Sequence, residues 1–449
     1  MPQISSNKPS NIRFIAVDIL SSLERSDAYL DKTLQVFFDN SSLHQKDNSL
    51  LSELVRGCIR YKSTIDQIID SHHTNKKDKL HPTVLNALRI AVYQLIFLSK
   101  IPHSAAVNES VNIVKHKKGL FLSKLSNAIL RSIVSNVEII KNQILDYSST
   151  EKIAKNLSFP QWMVERFSAH FPNFDAISFF SSLNQIPSIT FRRNTLIHSE
   201  LEFVQHLQEL GLSFQKSTIA ANSFLIHSIE NSKLLELIKE KYCFVQDESA
   251  SVVVELLAPQ FNQSVLDVCA APGGKSFSIA DFQKNSGSII SNDLFEAKSS
   301  LLYESSKKLG YTSIQATTSD LFEISGQLFD NVLLDAPCSG LGVIRKKPDI
   351  KWRRTEQSLR ELQTLQMKAI EHCSTLVKVG GTLVYSTCTY DRSENEEVVE
   401  WFLQRNEQFC LEPAEQYIPL EVCSNGYMRT FPHIHGCDGA FGARIIRKY

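Results

Sequence analysis

Two cysteines stand where an α/β sheet would deliver reactive groups. Cys338 lies in Asp335-Ala-Pro-Cys-Ser-Gly and Cys388 in Tyr385-Ser-Thr-Cys-Thr. Each follows an apolar, β-like run, Val332-Leu333-Leu334 and Thr382-Leu383-Val384, so each is expected just beyond the carboxyl end of a strand. In open α/β sheets that edge is the ligand crevice. Neighbouring strands lie only ~5 Å apart, so both thiols could reach one substrate. A free thiol near pKa 8.5 is only about 3% thiolate at pH 7, and a nucleophilic role therefore requires local activation. Two thiols offered to one crevice suit covalent addition to an electron-poor ring, which splits one hard substitution into easier steps. A lone cysteine is more often a small buried apolar residue. That is the expectation for Cys58, Cys243, Cys373, Cys410 and Cys423.

Beside them is a ligand turn. Val265-Leu-Asp-Val-Cys-Ala-Ala-Pro-Gly-Gly-Lys-Ser276 reads as strand, Gly-rich turn and helix start. Glycine lets backbone approach a ligand, and a helix N-terminus offers N–H groups. The competing reading is a phosphate-binding loop, G-x-x-x-x-G-K-S, which fails only where Cys269 replaces glycine. Asn331–Asp335 could even pass for its magnesium-binding strand. Acidic spacing separates the two. Asp293 follows Gly273 by 20 residues and ends the second strand-like run, Asp320 the third and Asp335 the fourth. A nucleotide triphosphatase has no use for carboxylates at both second and third strand ends, whereas a nucleoside cofactor does. S-adenosylmethionine fits this pattern better than a hydride carrier, whose Gly-x-Gly-x-x-Gly is absent. With two thiols at hand, the expected acceptor is C5 of cytosine. A thiolate added at C6 makes the ring enamine-like and able to take the sulfonium methyl. Methylation of an exocyclic amine would need Pro-Pro-aromatic where Ala336-Pro337-Cys338 stands.

Cys269-Ala-Ala-Pro-Gly-Gly-Lys275, Asp335-Ala-Pro-Cys-Ser-Gly and Ser386-Thr-Cys-Thr389 resemble the signature segments of the RNA 5-methylcytosine methyltransferases, as does Phe244-Val-Gln-Asp-Glu-Ser-Ala250. The resemblance implies that Cys269, Ala270, Ala271, Pro272, Gly273, Gly274 and Lys275 hold the methionine moiety and Asp293 the ribose. Asp320 would lie by the adenine, with Asp335 also at the cofactor. DNA cytosine-5 methyltransferases attack with a Pro-Cys thiol, which would be Cys338, so the residues alone leave the nucleophile open. The RNA-family resemblance gives attack to Cys388 and product release to Cys338, with Asp335 bonding the cytosine edge. Asp438-Gly-Ala-Phe-Gly-Ala443 is similar to the family's Asp-Gly-Phe-Phe-x-Ala, with Ala440 in place of an aromatic.

The elements that must position these groups divide into three parts: 1–145, 146–240 and 241–449. The first reads as helices only, with apolar spacing such as Leu85, Leu88, Val92, Leu95. Arg13-Phe-Ile-Ala-Val, Leu54-Val-Arg-Gly-Cys-Ile-Arg60, Leu88–Leu95 and Pro102–Glu109 resemble a NusB-like RNA-binding domain. The middle part mixes short helices with β-like pieces such as Ile189-Thr-Phe. In the last part strands and helices alternate, which predicts a doubly wound, mostly parallel sheet. The fold class expected is thus an all-α N-terminal domain and a Rossmann-like α/β methyltransferase domain joined by a small α+β segment. Together the two resemblances imply a bacterial family that methylates C5 of a specific cytidine in small-subunit (16S) ribosomal RNA.

The chain carries 48 Lys+Arg and 48 Asp+Glu, but residues 1–150 hold 19 basic against 13 acidic side chains. A basic front half suits an anionic partner. Arg345-Lys-Lys-Pro-Asp-Ile-Lys-Trp-Arg-Arg354 packs six basic residues and a tryptophan into ten positions. Arg345, Lys346, Lys347, Lys351, Trp352, Arg353 and Arg354 are therefore expected on RNA phosphates and bases, where an indole can stack. Lys115-His-Lys-Lys118 is a weaker patch. Nine cysteines without a Cys-x-x-Cys pair make neither a disulfide framework nor a zinc ribbon. His433-Ile-His435-Gly-Cys437 reads as a surface loop. The expectation is a cytoplasmic monomer without metal or membrane. Alternatives are the same reaction on transfer RNA or at another ribosomal position, a non-catalytic NusB-type RNA-binding protein, or a nucleotide triphosphatase.

Overall fold

The computed structural model describes residues 11–41, 43–73, 79–226 and 231–449. The chain forms two compact units, Met1–Asn184 with Lys347–Arg353, and Gln185–Lys346 with Arg354–Tyr449.

The first unit is helical. Its elements are α1 (Ile12–Leu23), α2 (Leu30–Asp39), α3 (Gln45–Arg60), α4 (Lys62–His72), α5 (Pro82–Phe97), α6 (His103–Lys118) and α7 (Leu120–Ser135). Four shorter ones follow, α8 (Val137–Gln143), α9 (Thr150–Asn156), α10 (Gln161–His170) and α11 (Ala176–Leu183). Helix α5 is apolar on nearly all sides, and such a helix belongs in the centre of a bundle. It packs against α1, α3, α4, α6 and α7. Pro82 sits in its first turn, where a missing N–H costs nothing, and His81 caps it. Its one buried guanidinium, Arg89, is matched by Asp66 at 2.6 and 2.7 Å and by Glu24.

The second unit opens with β1 (Ile189–Arg193), α12 (Glu200–Glu209), β2 (Phe214–Lys216), β3 (Ser223–Ile226), α13 (Asn231–Lys239) and β4 (Cys243–Val245). The strands form an antiparallel sheet in the order β2-β3-β1-β4. This β-α-β-β-α-β wiring is the ferredoxin-like arrangement, more definite than the mixture expected from sequence.

After α14 (Glu248–Leu257) come β5 (Ser264–Asp267), α15 (Gly274–Phe282), β6 (Ser288–Asp293), α16 (Glu296–Leu309), β7 (Ile314–Thr318) and β8 (Phe329–Asp335). The chain continues through α17 (Ile350–Arg353), which belongs to the helical unit, to α18 (Glu356–Ser374) and β9 (Val377–Thr387). It ends with α19 (Glu396–Arg405), β10 (Phe409–Glu412), β11 (Cys423–Ser424), β12 (Tyr427–Thr430), α20 (Pro432–His435) and β13 (Ala440–Arg447). The large sheet runs β11-β12-β13-β9-β8-β5-β6-β7, with β10 also on β13. Strands β7, β6, β5, β8 and β9 are parallel, as expected, while β10 to β13 add an antiparallel flank.

Both faces of the parallel half are covered, which explains its continuous apolar runs. On β8, Val332 and Leu334 face α18 and α19, whose Ile370, Val399 and Phe402 join the same cluster. Leu333 faces the other way, with Val252 of α14 and Ile279 of α15. The chain leaves β5 for β6 and β7 on one side, then returns to β8 on the other. That reversal opens a crevice at the carboxyl ends of β5 and β8.

The two sheets of this unit are linked by a buried ion pair, Arg192 of β1 with Asp281 of α15. Tyr311 donates to the same carboxylate at 2.9 Å, and the Arg192 guanidinium lies 4.7 Å over the Phe244 ring. Removing one partner of a buried pair leaves an uncompensated charge and costs about 3–5 kcal/mol. Arg192→Met is therefore expected to lower the unfolding free energy of this unit by that amount in a urea titration. A change below about 1 kcal/mol would show that the pair carries no such weight.

Candidate active site

Strands β8 and β9 are paired so that Asp335 lies opposite Ser386. The Ala336 N–H donates to Ser386 O at 2.8 Å, holding the two strand ends level. Both loops that follow therefore leave from one height, and their thiols meet: Cys338 Sγ and Cys388 Sγ are 3.3 Å apart. Both are partly exposed. Gly342 makes the approach possible. Its N–H donates to Cys388 O at 3.0 Å, and a Cβ there would fall 1.8 Å from Gly439 O and 2.9 Å from Cys388 O.

The two sulfurs are not equivalent. The hydrogen bond to Cys388, burial, and the charges of Cys388 and Glu394 all hold the Cys338 proton well above the usual thiol range. Either sulfur can donate in the 3.3 Å contact, and burial together with Cys388 keeps a proton on Cys338. Cys388 shares its surroundings with Lys275, whose Nζ is 2.7 Å from Asp335 Oδ2. Burial lowers the Lys275 pKa, but Asp335, Asp267 and Cys388 together raise it, so it stays an ammonium. Ser386 Oγ donates to Asp335 Oδ1 at 2.9 Å and fixes the carboxylate. A donated S–H on one side and a cation on the other are what a thiolate at Cys388 needs.

The Cys338 loop is braced from below. The Glu394 carboxylate is fully buried; it accepts from Ser339 N at 2.8 Å, from Ser339 Oγ, and from Gln366 Nε2 at 2.9 Å. Gln366 also donates to Pro337 O, and Arg354 to Ser339 O at 2.7 Å and Cys338 O at 3.2 Å. Sequence reading missed Glu394, Gln366 and Ser386. Ser393-Glu-Asn-Glu-Glu resembles an exposed acidic helix start, and nothing local marks its first carboxylate as buried.

The cofactor turn connects β5 to α15. Cys269, Ala270, Ala271 and Pro272 lead into Gly273, whose φ of 109° only glycine adopts readily, and Gly274 starts the helix. Ala270 N donates to Asn292 O at 2.8 Å, tying the turn to β6. Burial pushes the Cys269 thiol up to about 12, so it enters as a neutral group. The strand-end carboxylates Asp335, Asp267, Asp293 and Asp320 follow β8, β5, β6 and β7 along one sheet edge. Asp293 Oδ1 accepts from Phe295 N at 3.1 Å, and Asp320, at the surface, from Phe322 N at 3.0 Å. The carboxylates of Asp335, Asp293 and Asp320 along one edge repel a polyphosphate, and Lys275 is already paired with Asp335. The donor set therefore fits a cationic nucleoside such as S-adenosylmethionine, with ammonium, sulfonium and ribose hydroxyls to satisfy, and not a nucleoside triphosphate.

The basic strip is a correction. Lys351 is fully buried in the helical unit. Its Nζ donates to Asn184 Oδ1 at 2.6 Å, Arg60 O at 3.0 Å and Ser158 O at 3.2 Å, and burial lowers its pKa well below the usual lysine range. Trp352 Nε1 donates to Ile59 O at 2.8 Å, and Arg353 to Asp27 O and Ala28 O. In the second unit Lys346 bridges Asp247 and Asp438, both at 2.6 Å, Arg345 donates to Gly436 O and Asp438, and Arg354 braces the thiol loop. Six of the seven are thus taken up by protein groups, and only Lys347 is exposed. Charge runs read as solvated because sequence does not reveal carbonyls brought up from elsewhere in the chain. Asp438 and Gly439 pack on this assembly, the Gly439 N–H donating to Gly342 O at 3.0 Å. Pro432–His435 is a short helix, not a loop, and His435 Nδ1 accepts from Phe431 N. Cys410 and Cys423 are only partly buried.

Burial pushes the Asp267 carboxyl up to about 7, although Ser276 Oγ donates to it at 2.6 Å. The folded chain thus keeps this proton up to about pH 7, whereas an unfolded aspartate loses it near 3.9. Stability from this site is highest in acid and falls as pH rises between those values. Asp267→Asn abolishes that titration. Relative to wild type without cofactor, it is expected to gain about 2–3 kcal/mol between pH 5 and pH 8 in urea unfolding. An equal difference at both pH values would contradict the assignment.

Comparison with known proteins gives the family. The family model described as 16S rRNA methyltransferase RsmB/F matches residues 254–446, the NusB family model matches 10–135, and an RsmF/B-like ferredoxin-like domain matches 159–230. A probable ribosomal RNA small subunit methyltransferase B of Bacillus subtilis is 34% identical over 98% of this chain and 100% of its own. One from Synechocystis is 34% identical over 96% of this chain and 98% of its own. The crystal structure of PH0851 superposes with a TM-score of 0.79 at 25% identity, covering 98% of this chain and 100% of that one. No helix among the described residues is long and apolar enough to cross a membrane. A ferredoxin-like module, a NusB-like bundle and a methyltransferase domain stand in one chain, and relatives match almost its whole length: the chain belongs to the RsmB/F family of 16S rRNA methyltransferases.

Proposed function

We propose that this enzyme transfers a methyl group to C5 of one cytidine in bacterial small-subunit ribosomal RNA, through a transient bond between Cys388 and the ring. The observation that carries this reading is the 3.3 Å approach of Cys338 and Cys388 beside the Lys275–Asp335 pair. S-adenosylmethionine, when bound, supplies the electrophilic methyl. Cys269 to Lys275 would hold its methionine moiety, Asp293 the ribose, Asp320 the adenine side, and Asp335 the region between cofactor and base.

Cys388, kept ionised by the Cys338 S–H and the Lys275 ammonium, forms a bond to C6. The displaced electron pair moves into the ring toward N3 and O2, and the Asp335 carboxylate steadies the cytosine edge by accepting from its amino group. Once C5 carries the new methyl, its proton must leave. At that point Cys388 is neutral and bonded to carbon, so the charge that held the Cys338 proton has gone. Cys338 becomes more acidic and gives its own proton to solvent, and the resulting thiolate removes the C5 proton. The Cys388–C6 bond then breaks, the C5=C6 double bond re-forms, and the thiolate is regenerated. A ring reached in this way cannot stay stacked, so the cytidine must be flipped out or lie in a loop. We further propose that residues 1–145, 146–240 and 241–449 serve as RNA-binding, linking and catalytic parts, and that the enzyme works in the cytoplasm.

Bare small-subunit RNA incubated with protein and labelled methyl donor should gain one 5-methylcytidine, located by mass mapping. Cys388→Ala should abolish turnover and leave no protein–RNA adduct, whereas Cys338→Ala should accumulate one. The opposite pattern would reverse the two roles. Gly342→Ala must push the Cys338 loop away from Gly439 and the Cys388 carbonyl, and displacements of about 1 Å cost on the order of a hundredfold in rate. It is expected to lower kcat by about that factor while cofactor affinity, read by calorimetry, is retained. An unaltered kcat would contradict the close-approach argument.

A further inference from the structure

The face of the helical unit that its core leaves uncovered has an unusual composition. From Val111 to Val137 there is no aspartate or glutamate, while Lys115, Lys117, Lys118, Lys124 and Arg131 all fall inside. Lys117 is paired with Asp18 at 2.7 Å and lies over Phe14. Lys115, Lys118, Lys124 and Arg131 are exposed and form no ion pair among the described residues. Helices α6 and α7 pack side by side and are joined by the single residue Gly119, at φ 88°. The last turn of α6 therefore adjoins the first turns of α7.

On α7 the core side is Ser123, Ser126, Leu130 and Ile133. Phe121, Lys124, Ala128 and Arg131 recur at i, i+3, i+7 and i+10, which is one face of a helix, and all four are exposed. The small Ala128 leaves the space between the two cations open. Phe121 is 81% exposed, more than any other large apolar side chain among the described residues. Exposing that much ring next to three or four unpaired cations is not what a merely solvated face needs. It is the composition of a surface that neutralises phosphates and stacks an unpaired base. At 1.5 Å per residue, Lys124 and Arg131 are roughly 10 Å apart along the axis, a span of about two nucleotides of extended strand.

We propose that Lys118, Phe121, Lys124 and Arg131 form the RNA-contacting face of the helical unit, gripping an unpaired stretch of the substrate RNA. This deepens the reaction proposed above and rests on its choice of small-subunit RNA as partner. The basic strip at 345–354, largely occupied by protein groups, leaves this role to be filled elsewhere.

The test uses full-length protein and an unmodified small-subunit RNA transcript, with affinity read by filter binding across a salt series. Lys118→Ala/Lys124→Ala/Arg131→Ala should weaken binding at least tenfold. It should also reduce the slope of log affinity against log salt by about 2, since each phosphate contact to a single strand contributes about 0.7. Phe121→Ala should weaken binding about tenfold without changing the slope, as expected for lost stacking. A charge-matched control, Lys239→Ala/Lys307→Ala/Lys308→Ala, should change neither. The proposal is overturned if the first triple variant keeps wild-type affinity and slope, or if the control matches its loss. It is equally overturned if Phe121 and the three cations are needed for binding phosphatidylserine vesicles and not RNA. Methyl transfer is not the readout here. A chain that binds this RNA through α7 yet methylates no cytidine would sink the proposed reaction and leave this surface standing.

Discussion

The pairing of β8 with β9 is the constraint on which the site depends. Placing Asp335 opposite Ser386 sets two strand ends level, and the thiols carried just beyond them then touch. A slip of one residue would turn every side chain of one strand to the other face. It would bury Ser386 in the cluster of Leu383 and Tyr385, and part Cys388 from Cys338. Register is strongly specified here because both faces are occupied: Val332, Leu334, Leu383 and Tyr385 pack on one side, Leu333 and Val384 on the other. The apolar core is thus what aligns the reactive sulfurs.

Holding two loops rigid at a sheet edge requires polar groups that are buried and satisfied. Glu394 accepts from Ser339 and Gln366, Arg354 donates to two loop carbonyls, and Tyr385 OH donates to Glu394 O at 2.5 Å. Such networks rigidify a site when complete and are costly when broken. On the other flank, Lys346 bridges two carboxylates with opposite outcomes. Burial would raise Asp247, but Lys346 and the Ser249 and Asp438 donors hold it at about 2, while burial and the charge of Asp247 leave Asp438 at about 6. The ammonium thereby joins the segment before α14 to the one before β13, whose Gly439 closes over Gly342.

Much of this was legible in the sequence where chemistry is local. A strand, a Gly-rich turn and a helix start follow one another in Val265–Ser276, and three carboxylates end three consecutive apolar runs, because strand ends are where a parallel sheet exposes its residues. Cys338 and Cys388 could be named for the same reason. What stayed hidden depends on distant partners. Lys351 is indistinguishable from a solvated lysine until Asn184 and the Arg60 carbonyl are brought to it. Glu394 looks like the start of an exposed helix. Strand β13 was not foreseen, since Gly439 and Gly442 weaken a strand pattern, although Gly442 is needed where a Cβ would meet Leu256 at 2.9 Å. The residues leave the nucleophile open; the assignment to Cys388 is a proposal that draws on the charge of Lys275 beside it, a neighbour the sequence does not reveal.

The central claim is a sulfur–carbon bond made by Cys388 during the reaction. Small-subunit RNA carrying 5-fluorocytidine at the target position tests it directly. A fluorine at C5 cannot leave as a proton, so an enzyme that has added to C6 and alkylated C5 has no route to release. With methyl donor present, peptide mapping by mass spectrometry should then find RNA joined to Cys388 and to no other residue. Recovery of free enzyme alone, or attachment to Cys338, would contradict the account.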